Sequence, residues 1–294
     1  MTKGAEPTGH ATDRVRPRAV RRAIIPAMSV PLSAATILEA CDHGRSLDRA
    51  RFASLDDLTQ AEAIQASIRV ARLARGERPV GYKIGFTNRS IWPLYGVFHP
   101  IWAPVWDATL IRACASQVTL EAAGFAEPRI EPEIVVGLRT APVADTPQAV
   151  LEAADWIAHG LEIVHSPFPG WRFTAAEAFA AQGLHGALVL GPPLAVASLG
   201  QPAGQALARL AGIEVELVCD GCVVERGRGA NVLDGPMHAI AHLSRELRRR
   251  GRSIEPGSVI STGTLTDAGP IRAGQRWETR LHGIELPGLT VDVH

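Results

Sequence analysis

The sequence is short of the residues that mark several protein classes. Four of its 294 residues are cysteine, namely Cys41, Cys114, Cys219 and Cys222, and a secreted, disulfide-stapled scaffold needs a far denser set. Aromatic residues make up 5% of the chain and the formal net charge is zero. That combination offers neither the basic surface nor the stacking platform that nucleic-acid binding uses, and no attraction to an anionic membrane. No apolar run approaches the roughly 20 residues that a bilayer-spanning helix requires. What is present is ordinary globular composition, 46% hydrophobic and 20% charged. It is enough chain for one large core, or for one core with a smaller appendage. The expectation is a cytoplasmic protein with no nucleic-acid or membrane partner.

Cys219-Asp220-Gly221-Cys222 formally reads C-x-x-C. A zinc site wants a second such pair, and a thioredoxin-type site wants a helix after the first cysteine. Asp-Gly between two alternating apolar runs is instead a hairpin-turn signal, so the cysteines are read as flanking a turn. Residues 1–28 are rich in Arg, Pro, Thr and Gly without apolar periodicity and read as a disordered tail. Arg21-Arg22 before Ala-Ile-Ile-Pro suggests a twin-arginine signal, but the apolar stretch is short and broken by Pro26 and Pro31.

Residues 33–76 carry a helical pattern, with Thr59 and Glu62 spaced as a capping box, Ile64, Ile68 and Leu73 on one face, and Gly76 as a stop. From residue 80 onward the texture changes to short apolar runs and Gly/Pro turns. Strands are expected at 80–86, 129–138, 160–164, 187–190, 214–218, 222–226, 258–261, 276–281 and 289–293. Helices are expected from Thr146-Pro147, from Thr174 with Glu177 completing a capping box, and over 236–250 with Gly251 as its stop. Many strands with few, scattered helices argue for an α+β fold with a curled mixed sheet, and against a doubly wound one. The boundaries follow as a tail over 1–28, a helical N-terminal region over 29–105 leading into the Lys83 strand, and a catalytic domain over 106–294.

The chemistry is concentrated in a few residues. In Glu131-Pro132-Glu133 the two carboxylates share one face of a strand. Burying them together is costly without a cation or proton between them; an exposed face with two solvated glutamates is the alternative. Glu162 lies in the apolar run Gly160-Leu161-Glu162-Ile163-Val164, reached through a helix of about a dozen residues that can bring the two strands side by side. Three carboxylates without an accompanying His/Cys set suit a hard cation, Mg2+ or Mn2+. His165 falls on the other strand face and reads as structural or as a support to the ligands, not as a ligand itself. In Gly81-Tyr82-Lys83-Ile84-Gly85-Phe86 the alternation places Lys83 on a face with Gly81 and Gly85, which leaves room for a ligand beside the amine; a solvated lysine is the alternative. Ser261-Thr262-Gly263-Thr264 closes an apolar strand, and its hydroxyls and N–H groups either hold a carboxylate or form a plain turn.

These residues, in this order, resemble the fumarylacetoacetate hydrolase superfamily, in particular its branch of 2-keto-4-pentenoate (2-hydroxypenta-2,4-dienoate) hydratases and 4-oxalocrotonate decarboxylases. The matching segments are 81–87, 129–134, 161–164, 171–178 and 256–265. The resemblance implies a mixed β-roll with a small helical N-terminal region, a divalent metal on Glu131, Glu133 and Glu162, Lys83 as an acid/base or substrate-polarising group, and a homo-oligomer. Its implied substrate is a small 2-oxo or 2-hydroxydienoic acid contacting Gly85, Trp102 and Thr264. The implied activities are hydration, as in aromatic catabolism, or decarboxylation, tautomerisation or C–C hydrolysis, with a non-catalytic 2-oxo-acid-binding role as the alternative. One departure stands out. Hydratases of this branch carry an acidic cluster of the type Val-Asp-Gln-Pro-Asp-Phe-Gly, where this chain has Val97-Phe98-His99-Pro100-Ile101-Trp102-Ala103. His99, a residue type suited to proton transfer, is the candidate replacement; a histidine that is only part of an aromatic wall made by Trp92, Tyr95, Phe98, Trp102 and Trp106 is the alternative.

Overall fold

The computed structural model describes residues 1–2 and 29–294, so the expected tail lies outside the described residues apart from its first two. In chain order the elements are α1 (Ala34–Asp42), α2 (Leu58–Ala74), β1 (Pro79–Gly85), α3 (Trp92–Tyr95), β2 (Ile101–Trp106), β3 (Leu110–Arg112), β4 (Gln117–Leu120), β5 (Arg129–Leu138), α4 (Pro147–Ala153), β6 (Ala154–Val164), α5 (Ala175–Ala180), β7 (His185–Ala195), α6 (Ala203–Ala211), β8 (Glu214–Cys219), β9 (Cys222–Arg228), α7 (Pro236–Arg249), β10 (Val259–Thr264), β11 (Gly269–Pro270), β12 (Arg276–His282) and β13 (Thr290–Val293).

The main sheet runs β2-β1-β10-β5-β6-β7-β3, with β11 added to β5, and a second sheet runs β4-β13-β12-β8-β9. Both are mixed: β1 pairs β10 in parallel and β3 pairs β7 in parallel, while β5 is antiparallel to β10 and β6. Val105 on β2 and Leu188 and Leu190 on β7 belong to one buried cluster with Val135, Ala158 and Val259. β2 and β7 stand far apart in the strand order, so the sheet must curl to bring them together. This is the half-barrel of an α+β roll. The cis X-Pro bond Gln201-Pro202 precedes α6.

The helices pack on the outside of the curl. α7 presents Ile240, Leu243 and Leu247 at full burial, each contributing about 1.5–3 kcal/mol of burial energy, and Gly251 follows it in the left-handed conformation that ends a helix. The expected Thr174–Glu177 capping box forms as read, and Glu177 also receives Arg49 and the Leu55 amide.

The expected 33–76 helix is two helices. α2 is capped by Asp57, whose carboxylate accepts the Thr59 amide at 2.8 Å, so Thr59 and Glu62 do not form a box; Glu62 pairs with Arg250 instead at 2.9 Å. The inward stripe of α2 is Ala61, Gln65, Ile68 and Arg72. Its two polar members explain why apolar periodicity mislaid the face: Gln65 donates to the carbonyls of Trp102 and Phe179, and Arg72 pairs with Glu77 at 2.6 Å. The helix before Glu162 is also shorter than expected, because α4 ends at Ala153 and residues from Ala154 already join β6. Asp220 and Gly221 make the expected turn, both at positive φ, with Cys219 and Cys222 paired across it as free thiols. The stretch over 101–106, read as part of an aromatic wall, is a strand antiparallel to β1.

Candidate active site

Three ladder positions create the site. On β5 and β6, Glu131 stands directly opposite Glu162, and Glu133 stands opposite Gly160. Directly opposed side chains have Cβ atoms about 4.5–5.5 Å apart, and like charges there repel. Glu133 and Glu162 are fully buried and Glu131 is partly so. One carboxylate oxygen from each of the three comes within 4.8 Å of the other two.

The protein gives hydrogen bonds to one oxygen of each deeply buried carboxylate and none to the other. Glu133 Oε2 accepts from Ser261 Oγ at 2.5 Å and from the Gly263 amide at 2.8 Å. Glu162 Oε1 accepts from His185 Nδ1 at 2.7 Å. Glu133 Oε1 and Glu162 Oε2 are buried without a hydrogen-bond partner. Lys83 Nζ approaches Glu162 Oε2 at 3.1 Å as an ion contact, while its aligned hydrogen bond goes to the Gly183 carbonyl at 2.9 Å. Three converging carboxylates, two of them with a buried oxygen that makes no hydrogen bond, are what a divalent cation requires of oxygen ligands. The residues therefore fit Mg2+ or Mn2+, and the all-oxygen set does not suit a soft metal.

Electrostatics follow from this crowding. Burial, then mutual repulsion, pushes Glu131 up to about 8 and carries Glu133 well above the ordinary carboxylate range, while Glu162 is also raised by burial. For Lys83, burial alone disfavours the ammonium, but Glu162, Glu131 and Glu133 outweigh it and hold its pKa above the usual lysine value. A dication among those carboxylates offsets their charge and leaves the burial effect. His185, buried and beside Lys83, is driven well below the usual histidine range. It is therefore neutral, with Nδ1–H donated to Glu162 and Nε2 near Thr109 Oγ1 at 2.8 Å.

Beside Glu131 opens a cavity of about 240 Å³, bordered by Lys83, Gly85, Gly183, Thr264 and the aromatic residues Phe86, Tyr95, Trp171 and Phe173. Tyr95 stacks on Phe173 with centroids 5.3 Å apart and planes 3° from parallel. Arg129 also borders the cavity, with its guanidinium carbon 4.0 Å from the Trp171 ring centre and Nη1 donating to Tyr95 Oη at 3.0 Å.

The fold thus brings Lys83, Gly85, Glu131, Glu133, Glu162 and Thr264 to one place. It does not bring His99 or Trp102 there. Trp102 pairs with Ile84 across β1 and β2, whereas Lys83 pairs with Ala103. Alternation therefore puts Trp102 on the face away from the lysine. His99 and Trp102 border a different cavity, with Glu62, His242 and Arg250, and His99 Nδ1 contacts the neighbouring Pro100 carbonyl. The expected aromatic wall is divided: Tyr95 joins the site, Trp106 is buried with its indole on Gln182, and Trp171 and Phe173 complete the wall. Gly81 leaves no room for a ligand, since a Cβ there meets the Val259 carbonyl at 1.8 Å; Gly85 does face the Lys83 amine. Ser261 and Gly263 hold a carboxylate, and it is that of Glu133. His185 was missed by sequence reasoning, and its signal was a histidine opening the apolar run 187–190. His165 is buried apart from the carboxylate centre: Nδ1 accepts the Ala126 amide at 3.3 Å, and the ring meets Phe125 edge-on.

Comparison with known proteins agrees with this geometry. The profile described as "Fumarylacetoacetate (FAA) hydrolase C-terminal" matches residues 106–290. The chain belongs to the fumarylacetoacetate hydrolase family. Among curated members, this family member is 30% identical over 233 residues to 4-oxalocrotonate decarboxylase of Pseudomonas sp. (strain CF600), covering 78% of this chain and 84% of the relative. It is 29% identical over 232 residues, with the same coverages, to 2-hydroxyhexa-2,4-dienoate hydratase of Comamonas testosteroni. Its fold is shared with 4-oxalocrotonate decarboxylase from Pseudomonas putida G7, solved in complex with magnesium and adipate, at a TM-score of 0.77 and 24% identity over 89% of this chain and 95% of that one. The three glutamates lie within the matched segment; Lys83 and Tyr95 precede it.

Proposed function

We propose that this family member is a divalent-metal-dependent lyase acting on a 2-hydroxydienoate or 2-oxo acid, with hydration of a 2-keto-4-pentenoate-like substrate as its reaction. The observation that carries the reading is the convergence of Glu131, Glu133 and Glu162, with Glu133 Oε1 and Glu162 Oε2 buried and free of hydrogen bonds, at a cavity that Glu131 and Lys83 border. Glu131, Glu133 and Glu162 would hold Mg2+ or Mn2+, which when bound supplies Lewis acidity toward the carboxylate and C2 oxygen of the substrate. Lys83 stands beside that position, pinned by Gly183 and Glu162, where it holds or moves a proton at the C2 oxygen. Phe86, Tyr95, Trp171 and Phe173 exclude water from the carbon chain of the substrate, and Gly85 and Thr264 border its polar end. The relatives named as a dienoate hydratase and a decarboxylase act on acids of this kind, which supports the reading.

The test is incubation with 2-hydroxypenta-2,4-dienoate and Mg2+, following loss of the diene absorbance and analysing the product. Turnover that disappears with EDTA and in Lys83→Met is expected; no turnover with any dienol overturns the reading. Decarboxylation of a 2-oxo-3-enedioate is the second reading, favoured by Arg129, a cation on the cavity wall suited to a second carboxylate. Release of CO2 from such a substrate separates the two. Homo-oligomeric assembly, read by light scattering, and a cytoplasmic location belong to the same proposal.

A further inference from the structure

A dienolate has to be protonated at the carbon farthest from its carboxylate before water can add to the conjugated ketone, and that site lies away from Lys83. The cavity has two carboxyl groups, Glu131, which belongs to the candidate metal centre, and the solvent-exposed Asp267, and few of its hydroxyl and N–H groups are free to donate. Thr264 Oγ1 donates to the Thr266 carbonyl, Thr266 Oγ1 to the Asp267 carbonyl, and Trp171 Nε1 to the Glu127 carbonyl. The Lys83 ammonium is held by Gly183 and Glu162, and an arginine does not give up its proton. Tyr95 differs. Its oxygen accepts from Arg129 Nη1 at 3.0 Å, and among the described residues its own O–H has no acceptor. A phenol whose oxygen receives a hydrogen bond from a cation must turn its own hydrogen elsewhere, and Tyr95 borders the cavity. Its ring is fixed by the parallel stack on Phe173.

The strand β5 sets the distance. Arg129, Glu131 and Glu133 alternate along it and share one face, with no bulge between them in the ladder to β6. Two residues of strand advance about 7 Å. An acid chelated at the carboxylate centre and lying along β5 would bring its far end toward Arg129, which borders the same cavity.

We propose that Tyr95, positioned by Arg129, is the catalytic acid that protonates the remote carbon of the dienolate. This deepens the lyase reading above and rests on it. In the step, the Tyr95 O–H bond breaks and a C–H bond forms at the terminal diene carbon. The electron pair comes from the dienolate, which becomes the conjugated 2-oxo-3-enoate. The phenolate left behind faces the Arg129 guanidinium and recovers its proton from solvent water.

The test uses the Mg2+-loaded enzyme and 2-hydroxyhexa-2,4-dienoate in D2O, where deuteration makes the terminal diene carbon stereogenic. The wild type should deliver deuterium with one configuration. Tyr95→Phe, which keeps the stacked ring, should lower kcat about 100-fold, give mixed configuration, and leave the Kd values for Mg2+ and pyruvate within twofold. Arg129→Met, with Tyr95 intact, should lower kcat about tenfold, and it decides the matter should Tyr95→Phe not fold. Turnover by the wild type together with full rate and a single configuration in Tyr95→Phe, or full rate in Arg129→Met, overturns the assignment of Tyr95. Absence of turnover by the wild type overturns the lyase reading beneath it.

Discussion

Glu131 and Glu162 face each other as a directly opposed pair across β5 and β6, and Lys83 reaches the Glu162 side of that pair at 3.1 Å. One ammonium cannot balance three carboxylates, so the metal-free protein holds them at raised pKa values, as burial and repulsion dictate.

Metal should stabilise the fold. At a concentration 100-fold above its Kd, Mg2+ contributes about 2.7 kcal/mol by linkage, a rise of several degrees in Tm for a chain of this size. Glu133→Gln should remain folded in EDTA, since it removes a buried charge, and should lose the Mg2+-dependent rise. Thermal melts with and without Mg2+ read both. An unchanged rise in the variant would show that Glu133 is not a ligand.

His185 should set metal affinity without touching the metal. It donates to Glu162 Oε1 at 2.7 Å and so aims Oε2 at the centre. His185→Ala should weaken Mn2+ binding about 10–100-fold, the usual effect of losing such a partner. His185→Asn, whose amide can still donate, should recover part of it. Calorimetric titration distinguishes these values, and equal affinities in all three proteins would remove the role.

Acid should destabilise the protein through His165. Burial, with His185 and Arg72 nearby, lowers its pKa from 6.5 to about 4, and its neutral Nδ1 accepts the Ala126 amide. Between those values the unfolded chain binds a proton that the folded one does not, so stability falls as pH falls from 6.5 toward 4. The loss is about 1.4 kcal/mol per pH unit, or about 3 kcal/mol across the window. His165→Asn keeps an acceptor but does not titrate, so its stability should depend less steeply on pH. Urea melts from pH 7 to 4 measure the two slopes, and equal slopes would count against the assignment.

Gly263 should tolerate no side chain. Its φ is +108, and a Cβ there meets Thr87 Oγ1 at 1.8 Å. Its amide also holds Glu133 Oε2. Gly263→Ala should cost about 2–4 kcal/mol through strain and displacement, and should weaken Mg2+ binding as the amide leaves Glu133. Urea melts and metal titration check both, and wild-type values in each would show that the turn is freely adjustable.

The glutamates and Lys83 were legible in the sequence because each breaks the local pattern: a carboxylate in an apolar strand, or a lysine between glycines. The strand β5 was legible to its last residue because its apolar run is long and closed by turns. His99 misled for a physical reason. Its position next to a proline in the segment that departs from the family pattern pointed to proton transfer, but His99 precedes β2 and borders, with Trp102, a cavity shared with Glu62, His242 and Arg250 instead of the one at Lys83. The role of His185 was hidden because nothing local says which carboxylate lies one strand away. The α2 face was mislaid because Gln65 and Arg72 are buried with partners that only the folded chain supplies.

The row Arg129, Glu131, Glu133 along one strand separates two jobs by position. Exchange at 129 alters what that end of the cavity offers a ligand, while Glu133, two pleats away, keeps its partners on β10, and Glu162 on the neighbouring strand keeps His185. On the proposed reading, a lineage can drift in substrate choice by single substitutions at position 129 without passing through a form that has lost a metal ligand.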